Sequence, residues 1–331
     1  NATAPFAALH NIRYNSRLTP ARSNHDPNPD RQRPRQHHDY RRTRRRLRRA
    51  CHRLRHQPAR PHPPHPAHRR QIHIQSALGE HRTDLAHLTD HPKLRYIIAA
   101  LRQTPPAGGL NLTIDSDIDP TLGLGSSAAV TAAITALLYR LRGQNPDLLA
   151  LHRAAYRTIL TVQQRGSGAD LAASLAGGLI AYQNRPFTRI EPLPAPPTGL
   201  SLRYAGYKTP TAEVLARIAA HAAIDPDYYQ HLYDRMGAGS ARSIAAATRG
   251  DWADYYQSLN DYQELLNALG VCDDTQAAHL AAARPHAHAV KISGSGLGDC
   301  ILALADQPPA QHQPIAIARD GVRLEHRPCP Y

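Results

Sequence analysis

The sequence predicts a mixed fold of helices and strands, α/β or α+β, in two lobes. After residue 70, short segments in which apolar and polar residues alternate are interleaved with longer segments of helical periodicity. A proline-rich stretch at residues 192–197 divides this part of the chain, as a connection between two lobes would. Interleaved strands and helices are typical of these two fold classes.

The spacing of apolar residues predicts the individual elements. Residues 93–103 illustrate the helical pattern, because Leu94, Ile97, Ile98 and Leu101 fall on one face. The predicted strands cover residues 71–76, 110–115, 178–183, 201–207, 289–293, 301–305 and 314–318. The predicted helices cover residues 93–103, 127–141 and 146–164, with further helices inside 211–280.

Composition excludes several classes of protein. The 331 residues are 41% hydrophobic, and the longest apolar stretch, residues 128–138, is too short to cross a bilayer. The N-terminus does not resemble a secretory signal. The four cysteines lie far apart without a C-x-x-C pair, which disfavours a disulfide framework and a zinc ribbon. We therefore expect no membrane association and a location in the reducing cytoplasm.

The net charge of +14 is confined to one end of the chain. Residues 1–75 contain 18 Arg, no Lys and three Asp, a formal charge of +15, whereas the remaining 256 residues carry −1. The same segment holds 10 His and 10 Pro but no Gly and few large aliphatic residues. Because it cannot bury enough apolar area, we expect residues 1–70 to form an aberrant, disordered segment.

Three interpretations of this segment compete. The arginine run at residues 41–46 could bind phosphates as a nucleic-acid arm, and His62, His65 and His68 could bind a metal weakly. However, Arg, His and Pro enrichment without Lys or Gly is also what a GC-rich gene translated in the wrong frame tends to produce. We favour this frame-shift interpretation, so nucleic acid is not expected as a partner.

The first of three glycine-rich motifs is PTLGLGSSAA at residues 120–129. Its glycines permit a tight turn, its serines can cap the following helix, and the free N–H groups of that helix can bind an anion. The motif predicts a phosphate-binding loop. It is not a P-loop, since no Gly-Lys-Ser/Thr follows, and an ordinary capped helix is the alternative.

Two further motifs lie downstream. RGSGAD at residues 165–170 precedes a helix of small residues, at whose start the Asp170 carboxylate is stabilised by the macrodipole; a structural N-cap is the alternative. KISGSGLGDC at residues 291–300 connects two apolar strands, and its loop could lie against phosphates or against another glycine loop. A tight hairpin is the alternative there.

In this order and spacing, GLGSSAA, RGSGAD with AASLAGG, and KISGSGLGDC resemble the motifs of the galactokinase, homoserine kinase, mevalonate kinase and phosphomevalonate kinase superfamily (GHMP kinases). The resemblance extends from about residue 71 to the end of the chain. Within the superfamily, RGSGAD, AASLAGG and YKTPTAEV at residues 207–214 look most like bacterial mevalonate kinases. Phosphomevalonate kinase is the alternative.

The resemblance implies an α+β fold of two lobes. Residues 71–190 would form a ribosomal-protein-like ATP-binding lobe without its first strands, and residues 191–331 a ferredoxin-like lobe. The reaction implied is transfer of the γ-phosphoryl group of ATP, with Mg²⁺, to the primary hydroxyl of mevalonate, a step in the synthesis of isoprenoid precursors. The partner would be this small molecule, and a homodimer stays open.

The resemblance also implies roles for individual residues. Asp170 would face the acceptor hydroxyl as a base or an orienting group. Lys208 and Thr209 would line the acceptor site, where a cation suits a carboxylate. Asp299 would support the second glycine loop. The triphosphate would contact Gly123, Leu124, Gly125, Ser126, Ser127 and Ala128, with Ser127 also near Mg²⁺, under a loop of Gly294, Ser295 and Gly296.

Two departures from the family pattern bear on activity. Members begin with A-P-G-x-x-x-L-x-G-E-H, but here the first glycine is Gly79, so that motif is absent. Mevalonate kinases also usually place a magnesium-binding glutamate about a dozen residues before the aspartate, where this chain has Gln163 and Gln164 and no acid. Alternatives to an active kinase are a catalytically crippled kinase and a kinase-like core with a basic nucleic-acid-binding arm.

Overall fold

The computed structural model describes residues 70–116 and 125–323 and the backbone of residues 52–57. In this part of the chain, two four-stranded sheets and one two-stranded sheet are covered by helices. The α+β class predicted from the sequence is confirmed. None of the helices in the described ranges combines the length and hydropathy needed to cross a membrane.

The elements follow one another along the chain in short runs of strands and of helices. The strands are β1 (His52–Gln57), β2 (Gln71–Ser76), β3 (Gly79–Asp84), β4 (Leu110–Ser116), β5 (Leu179–Gln183), β6 (Arg189–Leu193), β7 (Gly199–Lys208), β8 (Ala289–Ser293), β9 (Gly298–Ala305) and β10 (Gln313–Ile315). The helices are α1 (Arg95–Gln103), α2 (Ser126–Leu141), α3 (Leu148–Gln163), α4 (Ala169–Ala176), α5 (Thr211–Ile224), α6 (Pro226–Arg249), α7 (Trp252–Ala268) and α8 (Asp274–Ala283), with a 3₁₀ turn at Arg284–His286.

The first sheet has the strand order β1-β4-β2-β3. β2 pairs in parallel with β4 and antiparallel with β3. The alternation of β2 places Ile72 and Ile74 in the core, where they share one apolar cluster with residues of α1 and α2 such as Ile98 and Ile134. The two helices therefore pack against this sheet, which sets the position of the α2 N-terminus.

β1 lies inside the N-terminal segment, residues 1–70, for which the sequence predicted disorder. The backbone of His52–Gln57 pairs antiparallel with β4, whose edge it covers. An exposed strand edge offers unpaired N–H and C=O groups, and a neighbouring strand can satisfy them through backbone bonds whatever its side chains are. The rest of residues 1–69, including the arginine run and His62, His65 and His68, lies outside the described residues.

The second sheet has the order β10-β7-β9-β8, with all neighbours antiparallel. All eight residues of β9 are buried. Ile301 and Ala303 belong to an apolar cluster that includes residues of α5, α6, α7 and α8. Leu302 and Leu304 belong to a second cluster, with residues of α6, α7 and β5. Because both faces are covered, β9 reads as a continuous apolar run.

The sequence missed three strands, β1, β3 and β6, and the proline-rich stretch at residues 192–197 begins inside the last of them. β3 and β6 carry too many polar residues to show an apolar alternation. Pro192 lies within β6, opposite Ile180 of β5, rather than in a connection. A proline is tolerated there because, among the residues that the structure describes, β6 pairs only with β5 and its other edge has no strand partner. The predicted strand at residues 314–318 is shorter, ending at Ile315.

Candidate active site

At the N-terminus of α2, no side chain of the described residues caps the backbone N–H groups. Gly125 is the N-cap residue, with φ of +66°, and its carbonyl accepts the first helical hydrogen bond, from Ala129 N at 3.0 Å. The expectation that serines cap this helix was wrong, because Ser126 and Ser127 lie inside its first turn. A glycine cap leaves the amides of that turn available to an anion. Gly123 and Leu124 fall outside the described residues.

Asp170 is the second residue of α4, and it is partly buried. The N-cap of α4 is Gly168, with φ of +79°, so the alternative that Asp170 serves as the structural N-cap is wrong. Its carboxylate lies within the first helical turn, where the macrodipole stabilises a negative charge.

Helices α2 and α4 share one apolar cluster that includes a residue from the first turn of each. Ala128, in the first turn of α2, and Leu171, next to Asp170, belong to one cluster of buried residues. Ala155 and Ile159 of α3 complete the contact between these helices. The structure thus brings the predicted phosphate-binding turn and the predicted acceptor carboxylate into the same region of the first lobe.

The second glycine loop, residues 294–298, is fastened by two other segments of its lobe. Leu297 N donates to the carbonyl of Val271 at 2.8 Å, and Leu297 O accepts from Thr209 N at 3.2 Å. The buried Gln276 side chain donates to the carbonyl of Gly298 at 2.8 Å. These bonds hold the loop beside the segment that contains Lys208 and Thr209, so the two predicted sites of this lobe are adjacent.

Lys208 is exposed at the surface, but its ammonium group is held in an ion pair. Its Nζ lies 2.9 Å from Oδ1 of Asp299, whose side chain is only 7% exposed. Asp299 also lies against the glycine loop, because a Cβ at Gly294 would meet its Oδ2 at 2.7 Å. One buried carboxylate therefore touches both the loop and the lysine.

Sequence reasoning missed the residues that hold this arrangement in place. Asp273 accepts from the Tyr207 hydroxyl and caps α8 in a capping box with Gln276. Burial, followed by the hydrogen bond to Asp273, raises the pKa of Tyr207 to about 12, so its hydroxyl stays a donor. The D-D-T-Q sequence at residues 273–276 matches the spacing of a capping box and could have predicted where α8 begins. It does not predict the contact of Gln276 with the loop.

The donor groups fit a nucleotide-bound cation rather than an all-protein metal site. Across residues 70–116 and 125–323, no three His, Cys, Asp or Glu side chains are grouped so as to hold a metal ion. Gln163, near the position expected for an acid, donates instead to the Tyr96 hydroxyl at 2.5 Å. Mg²⁺ commonly takes one or two protein ligands and completes its shell with phosphates and water. Ser127 and Asp170 carry oxygen groups of the kind that Mg²⁺ takes.

Two sequence profiles of known families match the chain. Residues 93–178 match the profile described as GHMP kinases N terminal domain, and residues 243–314 match the one described as GHMP kinases C terminal. The first range contains the starts of α2 and α4, and the second contains the loop at residues 294–298.

Relatives and a solved structure agree with these profiles. The mevalonate kinase of Pyrococcus furiosus is 30% identical over 238 residues, which cover 66% of this chain and 69% of that protein. The mevalonate kinase of Pyrococcus horikoshii is 28% identical over 253 residues, covering 70% and 74%. The crystal structure of L. major mevalonate kinase in complex with R-mevalonate superposes with a TM-score of 0.60 at 21% identity, covering 78% of each chain.

Proposed function

Because this chain belongs to the GHMP kinases, we propose that it transfers the γ-phosphoryl group of ATP to the primary hydroxyl of mevalonate. An ATP-dependent kinase with an alcohol acceptor follows from the family itself. Each family profile falls inside one of the two lobes proposed from the sequence, residues 71–190 and 191–331, and both leave out residues 1–70. The choice of mevalonate is our proposal.

The packing of α2 and α4 into one apolar cluster that includes a residue from each first turn is the observation that carries this proposal. ATP brings a polyanion that needs donors, and the glycine-capped first turn of α2 offers backbone amides at Ser127 and Ala128. The acceptor alcohol needs an orienting group, and Asp170 offers a carboxylate from the neighbouring helix start. Phosphoryl transfer depends mainly on positioning and charge neutralisation, and these are the tasks proposed for Asp170 and for the first turn of α2.

In the proposed reaction, the acceptor oxygen forms a bond to the γ-phosphorus while the bond from that phosphorus to the β–γ bridging oxygen breaks. ADP leaves with the electron pair of the broken bond. Asp170 accepts a hydrogen bond from the acceptor hydroxyl and takes its proton or orients it for release to solvent. Mg²⁺ bound to the phosphates would neutralise charge on them, and Ser127 would contribute a hydroxyl ligand.

Lys208 supports a carboxylate-bearing acceptor. Its ammonium group has three donors, and the ion pair with Asp299 occupies one direction while the side chain remains 38% exposed. A single lysine whose charge is partly neutralised by Asp299 suits an acceptor with a single carboxylate. Phosphomevalonate would add a dianionic phosphate and need further basic groups, so mevalonate is the better match.

The experiment is a steady-state assay of the whole chain with ATP, Mg²⁺ and either mevalonate or phosphomevalonate. We expect kcat/KM to be at least about 100-fold higher for mevalonate. Asp170→Asn should lower kcat by roughly 10²- to 10⁴-fold, as expected for loss of a positioned acid–base group, with little change in the KM for ATP.

The matched control is Asp227→Asn, since Asp227 is also an acid in the first turn of a helix, α6, but is exposed in the other lobe. Its turnover should stay at the level of the unmodified chain. A chain that phosphorylates neither acceptor, or an Asp170→Asn variant with normal kcat, would contradict the proposed function.

A further inference from the structure

The loop before Asp170 has an unusual pattern of backbone hydrogen bonds. Its three consecutive carbonyl groups, at residues 166–168, each accept a hydrogen bond from a different aromatic side chain of α3 or β5. The three bonds run from Tyr156 Oη to Gly166 O at 2.6 Å, from Tyr182 Oη to Ser167 O at 2.8 Å and from His152 Nε2 to Gly168 O at 3.1 Å.

The three donors form a packed unit, which we call the aromatic pad (His152, Tyr156 and Tyr182). The ring of His152 stacks on Tyr156 with centroids 5.7 Å apart and tilts against Tyr182 at 5.4 Å. His152 is 1% exposed and Tyr182 is 4% exposed. Rings with two side-chain torsions and this degree of burial have little freedom to move, so the positions of their donor atoms are defined.

His152 has one protonation state that suits this contact. A carbonyl only accepts, so Nε2 must carry the proton, and the buried Nδ1 has no hydrogen-bond partner among the described residues. Burial lowers the pKa of His152, more than the contact with Gly168 raises it. The imidazole is therefore neutral at neutral pH and remains a donor to Gly168 through Nε2.

Gly168 shows how closely the pad fits the loop. A Cβ at this position would lie 2.7 Å from the Tyr182 hydroxyl and 3.1 Å from the Tyr156 ring. Its φ of +79° also favours glycine. The pad thus packs directly against the N-cap of α4, two residues before Asp170.

We propose that His152, Tyr156 and Tyr182 are positioning residues that hold the loop at residues 166–168 and so aim the Asp170 carboxylate at the acceptor hydroxyl. The inference rests on the proposed function, because it takes Asp170 as the group facing the acceptor. Each of the three carbonyl oxygens accepts a hydrogen bond from the pad. The carbonyl groups, which carry partial negative charge, therefore cannot rotate to face the phosphates. A small displacement of a reacting group lowers turnover more than binding.

Tyr182→Phe is the most direct test, since it keeps the buried ring and removes only the hydroxyl that binds Ser167 O. We expect kcat to fall about tenfold with the KM for ATP within about twofold of normal. The matched control is Tyr256→Phe, a buried tyrosine whose hydroxyl lies 2.9 Å from Thr198 Oγ1 in the other lobe. It loses a comparable bond and should keep its kcat. Equal kcat values in the two variants would overturn the proposal.

Two substitutions of His152 separate positioning from support of the fold. His152→Gln retains an N–H donor that can reach the carbonyl of Gly168, whereas His152→Phe retains a ring without a donor. We expect the Gln variant to keep most of the kcat and the Phe variant to lose it, at similar melting temperatures. A loss of kcat that instead follows the melting temperature in both variants would show a merely structural role.

A double variant distinguishes failure of this inference from failure of the proposed function. If the pad acts through Asp170, adding Tyr182→Phe to Asp170→Asn should lower the residual rate no further. A full additional tenfold loss would overturn the inference while leaving the role of Asp170 intact. Normal turnover of Asp170→Asn alone would instead reject the proposed function.

Discussion

At the scale of the residue, the environment of a polar side chain in this protein depends on partners that lie far away in the sequence, outside its own motif. Lys208 was singled out from its motif, but its environment is set by Asp299, 91 positions later in the chain, at 2.9 Å. An ion pair with one buried partner orients the lysine and lowers its freedom to pair with solvent ions. In the proposed function, the lysine is thereby oriented for a single anionic group of the acceptor.

Replacing Lys208 by Met should therefore impair acceptor binding selectively. We expect the KM for mevalonate to rise at least about tenfold, as for loss of a charge-assisted contact, with the KM for ATP nearly unchanged. Lys93→Met is the control, because Lys93 is an exposed lysine just before α1. Initial rates at varied concentrations of each substrate measure both constants; an equal rise in the KM of both substrates would argue against the assignment.

At the scale of the element, the second glycine loop owes its shape to neighbours outside its own hairpin. Val271 precedes α8, and Thr209 follows β7, yet both bond to Leu297 in the connection between β8 and β9. A loop fixed at several points loses little entropy when a ligand binds, which favours a phosphate-binding role.

Gly296→Ala tests the tightness of this contact. A Cβ there would lie 2.3 Å from Val271 O at a φ of +84°, so the loop must shift away from Val271. We expect the KM for ATP to rise severalfold and the midpoint of thermal unfolding to fall. In Gly250→Ala, φ is +71° but nothing lies within 4 Å of the new Cβ, so only the strain of about 1 kcal/mol should appear, without a change in KM. Matching kinetics in the two variants would refute the role of the contact.

At the scale of the whole molecule, stability depends on histidines that folding places in dry surroundings. His312 is 8% exposed, just before β10, with its Nδ1 3.4 Å from Ser201 Oγ. Burial lowers its pKa to about 4, and the charge of Arg203 and the neighbouring His279 act in the same direction, against a weaker contact with Ser201. At a pH between about 4 and 6.5, His312 is thus neutral in the folded protein but protonated in the unfolded chain.

This difference predicts the sign of the pH dependence. Above pH 6.5 both states are neutral at His312 and its effect on stability is absent; as the pH falls from 6.5 toward 4, only the unfolded chain gains the proton, so the folded state loses stability. The loss from this group should reach about 2 kcal/mol by pH 5. In urea unfolding at pH 7.5 and pH 5, His312→Gln should reduce the loss, whereas His286→Gln, at an exposed position, should leave it unchanged. An unchanged loss in His312→Gln would contradict the prediction.

The sequence was sufficient for the parts of the site that depend on local chain geometry. Helix α2 and helix α4 begin within a residue or two of the predicted glycine motifs, because glycines with positive φ and a following apolar run determine where a helix can start. The family resemblance came from the same motifs and is confirmed by the two profiles and the relatives. The capping role given to the serines was wrong. Several residues near a helix start can act as the N-cap, and the backbone conformation at Gly125 decided which of them does.

What the chain determined by itself was the class of fold, the two helix starts that follow glycine motifs and the acidic residue beside one of them, since these follow from interactions among residues a few positions apart. Only the tertiary structure decided that α2 and α4 pack into one apolar cluster, that Lys208 meets Asp299, and that His152 and Tyr182 donate hydrogen bonds to the loop before Asp170. Such contacts join residues from distant positions, and they form only because packing of the helices against each other and against the strands brings those residues within hydrogen-bonding distance.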